Sequence, residues 1–212
     1  MNEILMETIV VGNLGVNTYI IYASGSKSAV VIDPAGDAAE VISRLKQSGL
    51  VCECIVLTHG HFDHIEGLAQ IRDYTHAPVA IHEADAKMLT DATLNGSIMF
   101  GRNVSFDPAE IDLKPGSFEA AGITMEIMHT PGHTPGGVCI VVDGRVFSGD
   151  TLFYSSIGRT DFPRSNPADM RESLKKLMTL PDGYEVYPGH GGATSIGDER
   201  ARNQFIKSWG IT

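Results

Sequence analysis

The sequence predicts an α/β protein, with sheets covered by helices, on three observations. Short β-branched apolar runs alternate with segments whose apolar residues recur at helical spacing. The two halves share a coarse grammar: strands, then a strand ending in a histidine-bearing turn, then a helix. No linker or low-complexity tract divides the 212 residues, and that length suits one core, so a single domain over residues 1–212 is expected.

The elements follow in order. "NTYIIYA" (17–23) and "SAVVIDP" (28–34) read as neighbouring strands around a Gly/Ser turn. "DAAEVISRLKQSG" sets Ala38, Val41, Ile42 and Leu45 on one helical face and stops near Gly49. "VCECIVLTH" reads as a strand, "HIEGLAQIRDY" as a helix, "APVAIHE" as a strand and "EADAKMLTDA" as a short helix. Residues 93–118, with scattered Gly, Asn and Pro, read as a loop region. "GITMEIMHT", "GVCIVVDG" and "RVFSGD" return to strands. "NPADMRESLKKLMTL" is a helix capped by Asn166 with Pro167 at its first position, and Met170, Leu174, Leu177 and Met178 form its apolar stripe. "YEVYPGH" is a last strand and "DERARNQFIKSW" a closing helix.

Composition narrows the partners. Sixteen Lys and Arg against 26 Asp and Glu leave a formal net charge of −10, which disfavours a phosphate backbone, so no nucleic-acid partner is expected. No stretch approaches the roughly 18 apolar residues of a membrane span, and "MNEILMETIVVG" carries no leader pattern, so a cytoplasmic location and no membrane partner are expected. Three cysteines, Cys52, Cys54 and Cys139, fit a reducing compartment better than a disulfide scaffold. At i, i+2 spacing in a strand, Cys52 and Cys54 are expected on one face, packed as small apolar groups.

The ligand-type residues fall in a pattern. "THGHFDH" crowds His59, His61, Asp63 and His64 immediately after an apolar run. His133, Asp150 and His190 each follow another strand in a turn containing glycine or proline. Gathering such residues at strand ends is how α/β architectures build a site. Imidazole nitrogen with carboxylate oxygen suits zinc, iron or manganese better than calcium or magnesium. His59, His61 and His133 offer three nitrogens; Asp63, His64 and His190 offer a mixed set; Asp150 can reach both. Seven ligands exceed one tetrahedral ion and suit two divalent ions about 3.5–4 Å apart, zinc first and iron or manganese as alternatives. Two such ions would acidify a bridging water to hydroxide near neutral pH, with Asp63 as the catalytic carboxylate steering it toward an electrophilic carbonyl. His76, His82 and His129 lack the glycine-flanked strand-end setting and read as ordinary polar residues, although His129 lies near the site in sequence. A solvated histidine-rich turn is the bland alternative for residues 59–64, and the later "PGHTPGG", "SGDT" and "PGHGG" argue against it.

These motifs resemble a known family. "THGHFDH" is similar to the H-x-H-x-D-H signature of the metallo-β-lactamase superfamily, and "PGHTPGG", "FSGDTLF" and "YPGHG" resemble its later metal motifs in order. The resemblance runs from "NTYII" and "VVIDPAG" to "PGHGG". It implies an αββα four-layer sandwich with metals at one edge, one ion held by His59, His61 and His133, the other by Asp63, His64 and His190, and Asp150 bridging. Within the superfamily, "LFYSSIGRTDFPRS" (152–165) resembles the short bacterial glyoxalase II-like hydrolases. That implies a thioesterase cleaving S-D-lactoylglutathione, or a related acyl-thioester, to the acid and the thiol. The chain departs from full-length glyoxalase II, whose C-terminal helical domain helps bind glutathione: it ends 22 residues after His190.

"GRTDF" also resembles persulfide dioxygenases, which use a single iron at positions matching His59, His133 and Asp150. That is the alternative reading; the ending "PGHGG" favours the hydrolase. Flavodiiron and nuclease branches fit less well, and a non-catalytic module predicts substituted ligands, whereas all seven are intact. Arg159 is either an anchor for an anionic substrate or the partner of Asp161 in an ion pair that braces the loop. Phe153 and Tyr154 are expected to pack beneath the pocket, and Asn17 to serve a structural role.

Overall fold

In the computed structural model, which describes residues 3–211, two six-stranded sheets stack on each other. Met1, Asn2 and Thr212, at the ends of the expected domain, lie outside the described residues. The first sheet runs in chain order: β1 (Ile4–Val11), β2 (Val16–Ala23), β3 (Ser28–Ile32), β4 (Val51–Val56), β5 (Val79–Ile81) and β6 (Ile111–Asp112). Its first three strands are antiparallel and the rest parallel. After it come β7 (Gly116–Ala120), β8 (Ile123–His129), β9 (Val138–Val142) and β10 (Arg145–Gly149), then a small ribbon of β11 (Leu152–Phe153) and β12 (Ser156–Ile157), then β13 (Glu185–Pro188) and β14 (Thr194–Ser195). The second sheet is ordered β14-β13-β10-β9-β8-β7. Strands β8 and β10 both run antiparallel to β9, and β10 runs parallel to β13, so β8, β10 and β13 end at one edge.

Seven α-helices accompany them among the described residues: α1 (Ala39–Ser48), α2 (Phe62–Ile65), α3 (Leu68–Thr75), α4 (Ala86–Thr90), α5 (Pro167–Leu177), α6 (Ile196–Arg202) and α7 (Gln204–Ser208). Strand alternation sorts the core into three layers. Val31 faces α1 and α3, packing with Val41, Leu45 and Ile71. Val30 and Ile32 face the other sheet, packing with Met125, Ile127 and Phe147. Cys139 and Val146 turn outward onto Met170, Leu174 and Leu177 of α5. Helices, sheet, sheet, helices is the expected αββα sandwich, the arrangement of the metallo-β-lactamase fold. No helix among the described residues is long and apolar enough to cross a membrane.

Local expectations hold where the signal is local. Gly49 ends α1 in the left-handed conformation at φ 64°. The Asn166 side chain accepts from the Ala168 and Asp169 amides and starts α5. Four expectations are corrected. Cys52 and Cys54 do not share a face: the β3–β4 register shifts so that Ala29 pairs Cys52 and Val30 pairs Cys54, leaving Glu53 as an extra residue. That irregularity turns Cys52 toward the helices and Cys54 between the sheets, both buried, and all three cysteines are free. The helix expected from His64 is two helices, α2 and α3, broken at Gly67, whose amide bonds to Pro34 O instead of continuing a helix. The expected loop at 93–118 contains a 3₁₀ turn (Ser97–Phe100) and the two-residue strand β6, and at 116–118 it already enters β7, an edge strand whose half-buried alternation carries little apolar signal. The closing helix is likewise two, because Asn203 adopts φ −65°, ψ 120° and caps α7. Strand β1 was not among the expected elements; it covers the outer edge of the first sheet.

Candidate metal centre

The seven expected ligands converge. His59, His61, Asp63 and His64 follow β4 and enter α2; His133 follows β8, Asp150 follows β10 and His190 follows β13. Candidate ligand atoms of His59, His61 and His133 lie within 4.8 Å of one another, and so do those of Asp63, His64 and His190. Asp150 stands between the sets: Oδ1 is 3.3 Å from His64 Nε2, and Oδ2 is 3.4 Å from His133 Nε2 and 3.7 Å from His190 Nε2. Asp63 Oδ2 is 3.4 Å from His190 Nε2. The loops close tightly to allow this. A Cβ at Gly189 would collide with Asp150 Oδ1 and the His64 ring, and one at Gly149, at φ 47°, with the Thr58 side chain.

Hydrogen bonds from the far ring nitrogens aim the near ones inward. His133 Nδ1 donates to Arg159 O (2.9 Å) and His190 Nδ1 to Leu14 O (3.1 Å). His64 Nδ1 donates to Asp33 Oδ2 (2.9 Å). His59 Nδ1 lies 3.1 Å from Thr58 Oγ1, which donates to the same Asp33 oxygen (2.6 Å), while Asp33 Oδ1 accepts from the Thr58 amide. Each of these rings is thereby held with Nε2 toward the cluster.

The residues fit divalent metals. His59 Nε2, His64 Nε2 and Asp150 Oδ1 are buried and lack hydrogen-bond partners, which buried polar atoms seldom do. His61 Nδ1 and His133 Nε2 face each other at 2.8 Å. Charge points the same way. Burial, and next the charge of His64, depresses His59 well below the ordinary imidazole range; burial and then His133 lower His61 to about 3. Burial opposes a charge on His64, but Asp150 and Asp63 outweigh it and raise that imidazole well above its ordinary value. Burial opposes ionisation of Asp150 too, yet His64 holds it well below the carboxylate range. Asp33, Asp63 and Asp150 thus surround a centre that draws in positive charge. Imidazole and carboxylate donors together suit zinc, iron or manganese.

The remaining expectations divide. Arg159 lies at the rim of the cavity, and its guanidinium pairs in bidentate fashion with Asp161 (both bonds 2.9 Å) and stacks on Phe162 at 4.1 Å, the contacts expected of a brace. Phe153 and Tyr154 do not pack beneath the pocket: Phe153, at the end of β11, lines it, and Tyr154 is exposed because it lies in the β11–β12 turn itself. Asn17 is structural as expected, donating to Pro188 O and Gly191 O and so tying the His190 loop to the first sheet. His82 and His129 stack on each other at 4.2 Å, and His76 ends α3. Sequence reasoning missed Asp33 and Asp85. The buried Asp85 carboxylate accepts from the amides of Gly60 and Gly136 and clamps the His61 and His133 loops together. The only signal for Asp33 was a lone aspartate at a strand end before proline; Asp85 had none.

A cavity of about 400 Å³ opens over the centre, floored by His61, Asp63, His133, Asp150 and His190.

The family model described as the metallo-beta-lactamase superfamily matches residues 11–190. A probable metallo-hydrolase of Streptococcus pyogenes is 39% identical, covering 91% of this chain and 86% of the relative. Hydroxyacylglutathione hydrolase GloC of Haemophilus influenzae is 34% identical, covering 86% and 89%. Among solved structures, the BLEG-1 B3 metallo-beta-lactamase superposes with TM-score 0.92 at 38% identity, covering 95% of this chain and 99% of that one. TTHA1623, solved in a di-iron-bound form, superposes with TM-score 0.84 at 33% identity, covering 94% and 99%.

Proposed function

The chain belongs to the metallo-β-lactamase superfamily of metallo-hydrolases, and from that premise we propose that it is a binuclear, glyoxalase II-like thioester hydrolase. One observation carries the reading: two three-residue groups of candidate ligands flank Asp150 on the floor of a cavity large enough for a small acyl-thioester. His59, His61 and His133 would hold one divalent ion, Asp63, His64 and His190 the other, with Asp150 common to both. When bound, the ions supply Lewis acidity and bring the pKa of water toward about 7. The protein's own residues do the rest. Burial opposes ionisation of Asp63, but His64 and His190 keep it below the ordinary carboxylate range, so it is ionised at neutral pH and its carboxylate can accept a hydrogen bond from the attacking water and steer it. In the hydrolysis, the oxygen of water bonds to the acyl carbon and the C–S bond breaks. The electron pair leaves on sulfur, and the proton given up by the water passes to the thiolate. No serine or cysteine nucleophile is needed; the three cysteines are buried away from the cavity, as suits a chain working in the reducing cytoplasm as one domain.

S-D-lactoylglutathione is the first compound to try, on the strength of the glyoxalase II resemblance and the GloC relative. The test is elemental analysis of untagged protein followed by a thioester panel, with β-lactams included because of the BLEG-1 similarity. About two ions per chain, zinc or mixed, with thioester turnover is the expected result. A single iron that cannot be joined by a second ion, together with oxygen uptake on glutathione persulfide, would replace this reading with the dioxygenase one.

A further inference from the structure

The cavity over the centre is walled by side chains that say what they receive. Leu14 of the β1–β2 turn, Met99 and Phe100 of the 3₁₀ turn, Phe153 of β11 and Phe162 of the following loop surround it, with Phe62 behind. Leu14, Met99 and Phe100 stand 48%, 60% and 52% exposed, so three large apolar groups from two unconnected segments face water across one opening. Scattered exposed apolar residues are ordinary, but a contiguous set rimming a cleft marks a binding surface. The adjoining smaller cavity of about 200 Å³ shares Leu14, Phe62, Asp63 and Phe100 with it.

Charge is equally informative. Among the described residues lining the two cavities, the permanent cations are Arg159 and Arg102. Arg159 is held by both oxygens of Asp161 and lies flat on Phe162; Arg102 is paired with Glu66. On the floor, Asp63 and Asp150 would be taken up by the ions of the proposed centre, so the rim decides whether a charged group is matched. A ligand carboxylate held at the rim would therefore meet no guanidinium that is not already matched by an acid. A hydrocarbon chain would cover Met99, Phe100 and Leu14 from water.

We infer that this site recognises its thioester substrates through an apolar chain held by the Leu14, Met99, Phe100, Phe153 and Phe162 walls, with carboxylates on the thiol part, glutathione's included, adding no affinity. This rests on the thioester-hydrolase reading for the reaction, but the recognition is measured separately from it.

The experiment uses the metal-loaded full chain and two series of probes. Calorimetry measures binding of non-hydrolysable S-alkyl-N-acetylcysteamines from ethyl to octyl, and of S-hexylglutathione. Turnover is followed on S-acyl-N-acetylcysteamines of the same lengths. Affinity is expected to rise about threefold to fourfold per methylene until the cavity fills, with S-hexylglutathione no tighter than its N-acetylcysteamine counterpart. Met99→Ala, at an exposed position that the fold does not need, should flatten the rise, and Phe162→Ala should flatten it further. Asp161→Asn, which releases the guanidinium, should raise S-hexylglutathione affinity several-fold while leaving the neutral series unchanged. Affinity independent of chain length overturns the inference. So does S-hexylglutathione binding tenfold or more tighter than S-hexyl-N-acetylcysteamine with the gain lost in Arg159→Ala. Chain-length-dependent binding without hydrolysis of any thioester would keep the recognition and remove the thioesterase reading; hydrolysis indifferent to chain length would do the reverse.

Discussion

Replacing Asp33 by asparagine tests how the centre is organised, because it changes one atom outside the ligand set. Asp33 is buried and accepts three hydrogen bonds: Oδ1 from the Thr58 amide at 2.7 Å, and Oδ2 from Thr58 Oγ1 at 2.6 Å and from His64 Nδ1 at 2.9 Å. An asparagine has one oxygen and one NH₂ for these positions. With NH₂ toward the Thr58 amide, two donors face each other. With NH₂ toward His64, Nδ1 must accept, its proton moves to Nε2, and the nitrogen facing Asp150 can no longer act as a ligand. Either orientation loses at least one bond to a charged acceptor, worth about 1.5–3 kcal/mol. Removing such an orienting partner typically costs about 10–100-fold in metal affinity, which is roughly 1.4–2.7 kcal/mol. The assay is competition with a chromophoric chelator at pH 7.5, with circular dichroism to show that the variant is folded. The expected outcome is two separated affinities: the Asp63/His64/His190 set weakened by that factor, and the His59/His61/His133 set weakened less, because Thr58 still stands between His59 and residue 33. Wild-type affinity at both sites would refute the claim that Asp33 sets the His64 tautomer.

Three further outcomes follow from the same structure. Gly189→Ala puts a methyl group against Asp150 Oδ1 and His64, so the loop must shift; a loss of about 1–3 kcal/mol of stability and of one equivalent of bound metal is expected from urea unfolding and elemental analysis. Asn166→Ala removes the cap of α5, should cost about 1 kcal/mol and about 2–4 °C in Tm, and should leave metal content unchanged. In the metal-free protein, burial, then His133, holds His61 near 3, whereas the unfolded chain titrates near about 6.5. The unfolded state therefore takes up a proton that the folded state does not, and this contribution to stability is present above about 6.5 and lost as pH falls toward 3. From pH 7 to 5, metal-free wild type should lose about 1–2 kcal/mol more than metal-free His61→Gln in urea titrations; parallel pH dependence in the two would show that His61 is not held neutral.

Much of this protein was legible in its sequence, wherever neighbours along the chain determine the outcome. The Asn166–Pro167 cap, the Gly49 stop and the apolar stripe of α5 involve contacts within a few residues, and they form as the spacing predicts. The six-position crowd from His59 to His64 and the histidines and aspartate at later strand ends carried the chemistry of a metal centre before any fold was known. What the tertiary structure alone decided lies in contacts that no window of sequence contains. Asp33 finds His64 across 31 residues, and Asp85 reaches Gly60 across 25 and Gly136 across 51. An irregularity at Glu53, set by pairing with β3, sends Cys52 and Cys54 to opposite faces despite their spacing. The apolar walls of the cavity come from the β1–β2 turn, the 3₁₀ turn at 97–100, the two-residue strand β11 and the loop after β12, none of which reads as an apolar element by itself. Side-chain period and capping are local energies, so the sequence by itself determined most elements and the candidate ligand types; register and crossing bring distant backbone together, so only the assembled sandwich decided which carboxylate orients which imidazole and what kind of surface covers the candidate metal centre.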